Sequence, residues 1–254
     1  MKKSLVPGLE RGIKILELLE KEKEGLTFGD LLEKTGIPKP SLARILNLLE
    51  SHNFIRNSSD GRYRLGFRLL SLGYSVYTNL DLIREARPFL TELVDLTGET
   101  VELAILDGGE ILYIDKIESP EPIRLVARIG SRYKTLHCTA VGKVFLAYMG
   151  EDFFKDYLAR VGLPSFTEKT ITDVEVLKAQ LDEIRSRGYA FDDEEVRSGV
   201  RRIASPVFGS FKGLVAVIGI AGPTFRITVE RKEELGEIVK RVAMGLSERF
   251  GYKE

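Results

Sequence analysis

Apolar residues recur at near-helical spacing over 8–24, where Leu9, Ile13, Leu16 and Leu19 share one side and charges occupy the other. That spacing predicts an amphipathic helix. Gly25-Leu26 breaks it. Thr27 and Asp30 then have the form of a capping box, opening a short second helix over about 28–35. Gly36-Ile37-Pro38 predicts a tight turn, and Pro40 suits the first turn of a third helix. On that helix Leu42, Ile45, Leu46 and Leu49 fall at i, i+3, i+4 and i+7, one apolar stripe. Its opposite face shows Pro40, Arg44, Asn47 and Ser51, with Ser41 and Ala43 flanking. Two short extended runs, 53–56 and 62–65, surround an Asp60-Gly61 turn and predict a β-hairpin. Period two puts Arg62 and Arg64 on one hairpin face and Tyr63 and Leu65 on the other. Helix, helix, turn, helix, hairpin is the order of a winged helix-turn-helix.

Residues 67–79 read as a connecting helix with Leu65, Leu69, Leu72 and Val76 roughly on one side. Residues 81–97 form another, in which Pro88 predicts a kink or break. From Gly98 the pattern changes. Extended runs at 100–106 and 111–117 are joined by Asp107-Gly108-Gly109-Glu110, and 123–129 is a third strand candidate. Helices are predicted over about 139–148, 151–161 and 173–187, strands over 201–208 and 213–221, and a closing helix over about 228–250. Hairpins of neighbouring strands with helices outside them predict an α+β domain with an antiparallel sheet. The expected organisation is an α-rich winged helix-turn-helix with a β-hairpin wing at 1–66, a linker helix at 67–80 and the α+β domain at 81–254.

Charge sharpens the first part. The net charge is zero, yet residues 1–68 carry 13 Lys and Arg against 9 Asp and Glu, and the remainder 25 against 29. Within 34–68 the count is 7 against 2. A basic end on an acidic body suits a polyanion-binding module. An outward helix face without bulky residues can enter a major groove, where Arg44 pairs with guanine and Asn47 with adenine, Ser41 beside them. Lys39, Arg62 and Arg64 are the candidate phosphate contacts, which add affinity without sequence information. No apolar run reaches the ~18–20 residues of a membrane span. No apolar stretch follows the N-terminal lysines, which argues against a secretory signal and for the cytoplasm.

The α+β part offers little enzyme chemistry. Cys138, the one cysteine, stands next to His137, but chain neighbours seldom aim at each other, and a nucleophile needs its base within hydrogen-bond reach. Gly142-Lys143 lacks the upstream glycine and following Ser or Thr of a phosphate loop. Two stretches remain. Residues 136–143 form a small-residue loop entering a helix, whose first N–H groups favour an anion such as a carboxylate. Residues 188–196 carry an acidic cluster, readable as a solvated turn or as a ligand contact, and the small residues of 217–223 would leave room above a sheet.

Taken in order, these stretches resemble the IclR family of bacterial and archaeal transcription regulators over essentially the whole chain. The resemblance rests on Gly8-Leu9-Glu10-Arg11-Gly12-Ile13-Lys14-Ile15-Leu16, Thr35-Gly36-Ile37-Pro38-Lys39, Ser41-Leu42-Ala43-Arg44-Ile45-Leu46 and Tyr63-Arg64-Leu65-Gly66. In the body it rests on 136–143, 188–195, Ile203-Ala204-Ser205-Pro206-Val207 and Gly222-Pro223. It implies a GAF-like effector domain after the winged helix, operator DNA and a small metabolite, often a carboxylic acid, as partners, a homodimer or tetramer, and no enzymatic activity. Family effector contacts carry over to Ala140, Val141, Asp192, Arg202, Gly219 and Ala221. The chain departs from the family at three of them: Arg202 stands where Cys is common, and Gly219 and Ala221 where hydroxyl-bearing residues occur in keto-acid binders. The expected occupant is an organic acid whose acidic end meets the backbone at Ala140-Val141, helped by Arg202. Asp192 either takes a ligand hydroxyl or amine, or pairs with Arg202 until the ligand displaces that pair. No cofactor is needed for folding. Zinc or another divalent ion is an alternative occupant, held by Cys138 with Asp192 or Asp193 and His137. The rival to a DNA regulator is a metabolite- or metal-sensing domain acting through protein partners.

Overall fold

The structure, a computed structural model, describes residues 6–78, 81–125 and 128–253, the side chains of 74–78 and 81 excepted. The chain divides into two compact units after Leu80. The first contains α1 (Pro7–Lys21), β1 (Leu26–Thr27), α2 (Phe28–Thr35), α3 (Lys39–Ser51), β2 (Ile55–Asn57), β3 (Arg62–Leu65) and α4 (Phe67–Thr78). Ile15, Leu19, Leu31, Leu42, Leu46 and Ile55 make its buried core. The capping box forms as expected: Thr27 Oγ1 accepts from Asp30 N at 3.2 Å, and Thr27 N donates to Asp30 Oδ2 at 2.9 Å. The hairpin gains a third strand, giving the order β1-β3-β2. Gly66 ends the wing because a Cβ there would lie 2.1 Å from the Asn53 carbonyl oxygen.

One apolar face differs from the periodicity. On α1 the buried residues are Gly12, Ile15 and Leu19, whereas Leu9 is 63% and Ile13 48% exposed. On α4, Leu69 is half-buried and Leu72 exposed, while the Val76 side chain lies outside the described residues.

The second unit contains α5 (Asp81–Thr97), β4 (Thr100–Asp107), β5 (Glu110–Ile117), β6 (Arg132–Tyr133), α6 (Ala140–Tyr148), α7 (Glu151–Arg160), α8 (Val174–Arg187), β7 (Ala190–Asp193), β8 (Val200–Phe208), β9 (Leu214–Pro223) and α9 (Lys232–Arg249). Six antiparallel strands run in the order β6-β5-β4-β9-β8-β7. Helices α5 and α9 pack on one face; α6 packs on the other, with α8 against it. Helix α5 runs unbroken through Pro88, so the expected break does not occur. The strand expected at 123–129 is not found: 123–125 and 128–129 are irregular, with Ile123 and Ile129 exposed, and 126–127 lie outside the described residues. Its place beside β5 is taken by the two-residue β6. Residues 190–193, read from sequence within an acidic turn, form edge strand β7 instead, because Ala190 and Asp192 alternate into the interior. Among the described residues no helix is long and apolar enough to cross a membrane.

Candidate functional site

In the first unit α3 buries Leu42 and Leu46 and presents Lys39, Arg44 and Asn47 to solvent, with Ser41 half-buried beside them. Lys39, Arg44 and Asn47 make no side-chain hydrogen bond or ion pair among the described residues, so their donors remain available. The wing cations are placed differently. Arg64 grips Asp60 through two nitrogens at 3.1 and 2.8 Å, which holds the Asp60 carboxyl down at about 2. Arg62 Nη1 donates to the Gly25 carbonyl at 3.0 Å, tying the hairpin to the loop before α2. Two of the three predicted phosphate contacts, Arg62 and Arg64, thus have internal partners. The exposed Arg56, cross-strand from Arg64 on β2, lies over the Phe67 ring at 5.4 Å, with its hydrogen-bond donors uncommitted. Sequence reading passed over it because it precedes the turn.

In the second unit, strand register assembles the site. Asp192, Arg202, Ala221 and Thr100 are successive partners across β7, β8, β9 and β4. One rank along, Ala190, Ala204, Gly219 and Glu102 do the same. Directly opposed residues share a sheet face. That face is the α6 side, since Ala190 and Ala204 pack in one apolar cluster with Ala140, Val141 and Val144. All six predicted effector residues therefore lie on one side of the sheet, as sheet floor or helix start. Gly219 has a further role there: a Cβ would sit 2.6 Å from the Ile203 carbonyl oxygen, so glycine also permits the close approach of β8 and β9.

Asp192 is fully buried. Its Oδ2 accepts from Arg202 Nη1 at 2.9 Å and its Oδ1 from the Glu195 N–H at 2.8 Å. Burial pushes the Asp192 carboxyl up, and these two contacts oppose that shift. Arg202, itself largely buried, is held charged by Asp192, Glu102 and Tyr113. Above this floor Thr139 caps α6, accepting the Gly142 N–H at 2.9 Å. The ladder of a helix leaves its first N–H groups unpaired, here those of Ala140 and Val141.

Three buried groups escaped the sequence reading. Glu102 lies within the apolar strand β4, where burial raises its carboxyl and Arg202, Lys116 and the Tyr113 hydroxyl pull it back. Tyr113, beside it, is pushed up by burial and then by Glu102. Lys143 is fully buried, donating to Gln180 Oε1 at 2.8 Å and to Glu195 Oε1. A lone acid or lysine inside an apolar run was the available signal.

The four metal candidates do not converge. The Tyr157 hydroxyl accepts the Leu136 and His137 N–H groups at 3.0 and 3.2 Å, so its proton goes to His137 Nδ1 at 2.7 Å. His137 Nε2 then donates to the Pro164 carbonyl at 3.0 Å, and burial lowers the imidazole's pKa. Asp193 turns away from Asp192 to meet Arg201 at 2.6 Å and Lys169 at 3.1 Å. Cys138 is buried and its thiol pushed up to about 11. Among the described residues no three His, Cys, Asp or Glu side chains are grouped to hold a metal ion.

Comparison with known proteins agrees with both halves. Residues 8–59 match the IclR helix-turn-helix domain, and residues 74–248 match the C-terminal domain of the bacterial transcriptional regulator IclR. The chain is 34% identical over 249 residues to the transcriptional regulator XynR of Escherichia coli, covering 98% of each chain. It is 37% identical over 242 residues to the regulator KdgR of the same organism, covering 94% of this chain and 91% of KdgR. The crystal structure of Thermotoga maritima IclR superposes with a TM-score of 0.79 at 33% identity, covering 97% of this chain and all of that one. With its helix-turn-helix unit, its antiparallel α+β unit and relatives that are themselves regulators, the chain belongs to the IclR family of transcription regulators, which carry a C-terminal effector-binding domain.

Proposed function

We propose that this regulator reads its operator through α3 and is controlled by a small organic acid bound between α6 and the sheet. The observation that carries the effector half is the buried Asp192 paired with the half-buried Arg202 on the α6 side of the sheet. A carboxylate on the Ala140 and Val141 N–H groups attracts Arg202, so ligand entry and release of Asp192 are one exchange of partners. On the DNA side Arg44 and Asn47 read bases, and Lys39 and Arg56 add to phosphate binding. Two copies are needed, because one winged helix offers few base contacts and two-fold symmetry doubles them. Exposed Leu9 and Ile13 on α1 and Phe67 and Leu70 on α4 provide apolar surface for that homodimer; pairing of effector units would extend it to a tetramer. A regulator of this kind works on the chromosome, in the cytoplasm, and not as an enzyme.

The test is binding to the DNA upstream of the chain's own gene against random DNA, at two salt concentrations, with and without metabolites that raise its melting temperature. Tighter binding to the upstream DNA, altered by a stabilising acid, is expected. Equal affinity for both DNAs refutes sequence reading. A thermal shift unchanged in Asp192→Ala and Arg202→Ala refutes the pocket.

A further inference from the structure

We infer that Glu102 is a specificity-determining residue of the effector site, so that the effector is a carboxylic acid carrying hydrogen-bond donors, hydroxyl or ammonium, at the end away from its carboxylate. This rests on the reading of that site as the effector pocket.

The buried carboxylates of the second unit show why. Five Asp and Glu residues are buried among the described residues: Glu99, Glu102, Asp115, Asp192 and Glu195. Four have an ion pair. Glu99 holds Arg226 at 2.6 Å, Asp115 holds Arg87 at 2.9 Å, Asp192 holds Arg202, and Glu195 holds Lys143. Glu102, only 6% exposed, has none among the described residues. The charges of Arg202 and, cross-strand on β5, Lys116 act on it without an ion-pair contact, and the Tyr113 hydroxyl hydrogen-bonds to it. A buried carboxylate without an ion pair works against folding. The position itself does not call for an acid, since leucine or valine would fill a β4 core position.

Its place supplies the reason. Glu102 opposes Gly219 on β9, and Gly219 opposes Ala204 on β8, so the carboxylate stands on the α6 side of the sheet. Arg202 acts on it across β9, whose residues there, Gly219 and Ala221, carry no side chain larger than a methyl. The floor thus has Asp192 and Arg202 at one side, Glu102 and Tyr113 at the other, and no bulk between. Arg202 acts on both Asp192 and Glu102, and Lys116, the cross-strand neighbour of Glu102, is already held by Glu118, so once the ligand's carboxylate draws on Arg202 and the α6 N-terminus, acceptors are left over. They call for donors on the ligand.

Isothermal titration of the full-length protein with three acids of equal chain length tests this: D-gluconate, 6-aminohexanoate and hexanoate. Wild type should bind gluconate or 6-aminohexanoate about tenfold or more tighter than hexanoate, the worth of a hydrogen bond to a charged group. Glu102→Leu should abolish that preference by weakening the donor-bearing acid while leaving hexanoate unchanged or tighter. It should also melt higher than wild type, because it removes a buried carboxylate that has no ion pair. Three results overturn the inference: equal binding of all three acids by wild type, discrimination retained in Glu102→Leu, or a lower melting temperature for that variant, which would make Glu102 structural. Affinity that survives Asp192→Ala and Arg202→Ala refutes the pocket itself. Affinity lost there while Glu102→Leu still discriminates refutes only the role of Glu102. No binding by any of the three refutes both.

Discussion

Lys143→Met isolates the second buried ion pair. Lys143 is 0% and Glu195 5% exposed, and Glu195 Oε2 is buried without a partner even in the intact protein. Removing the ammonium leaves a carboxylate with the Ile171 backbone as its hydrogen-bond partner and the like charge of Asp192 nearby. Breaking a buried pair from one side costs about 3–5 kcal/mol. At about 2–4 °C per kcal/mol for a unit of this size, calorimetry should show the effector unit melting about 6–20 °C lower. The double variant Lys143→Met/Glu195→Leu should recover most of that loss, because an apolar pair has no charge left to strand.

The pH dependence follows with a definite sign. Burial already pushes the Glu195 carboxyl up, and Lys143 is the first influence opposing that shift. A carboxyl raised in the folded state favours folding while protonated, and that contribution is lost as pH rises through its folded pKa. Without Lys143 the carboxyl rises further. The deficit of Lys143→Met should therefore be largest at neutral pH and shrink on acidification, as Glu195 takes up a proton. A deficit that stays constant across that range, or a double variant less stable than the single one, would refute the charge-based account and leave lost packing as the cause.

Three shorter expectations follow. Arg44→Ala should lose about 1–3 kcal/mol on the operator and relax preference at one base pair, whereas Arg56→Ala should weaken all DNA alike and reduce the salt slope by about one; identical behaviour of the two in fluorescence anisotropy would void the division between reader and clamp. Cys138, its thiol pushed up to about 11 by burial, should resist iodoacetamide at neutral pH until the protein is unfolded; rapid native labelling would contradict its buried setting. Ile13→Asp with Leu70→Asp, both at exposed positions, should give monomers by sedimentation and lower operator affinity with little change in melting; an intact dimer would move the interface elsewhere.

Much of the winged helix could be read from sequence because its signals are local. The stripe on α3, the capping box of Thr27 and Asp30, and the Asp60-Gly61 turn each lie within a few residues. What failed there was not local. Leu9 and Ile13 look like core residues by spacing, yet the part of α1 that α2 and α3 cover is centred on Ile15 and Leu19. Arg62 and Arg64 look free from their alternation, but Asp60 and the Gly25 carbonyl occupy them once β3 sits between β1 and β2. In the second unit 123–129 has strand composition and no strand among its described residues, and β5 takes its edge partner from the two residues of β6. No period can be recognised in two residues.

The candidate effector site was legible only in part, for a physical reason that its register makes plain. Asp192, Arg202, Ala221 and Thr100 stand side by side, but they come from strands whose order in the sheet is not their order in the chain. A hydropathy pattern registers which residues avoid water; it does not register which of them avoid it together. Asp192 and Asp193 illustrate the loss. Adjacent in an acidic run, they read as one solvated cluster, yet strand alternation sends the first into the interior with Arg202 and the second outward to Arg201 and Lys169. Gly219 and Ala221 show the opposite case. They read as apolar strand residues, and their contribution is the side-chain volume they lack, which lets two charged groups of β8 and β4 act on each other across β9. A pocket floor made from small residues between buried charges has no signature along the chain. It exists only after the strands pair, which is why a larger side chain at Ala221 should alter ligand binding, whereas one at Gly219 would also force β8 away from β9.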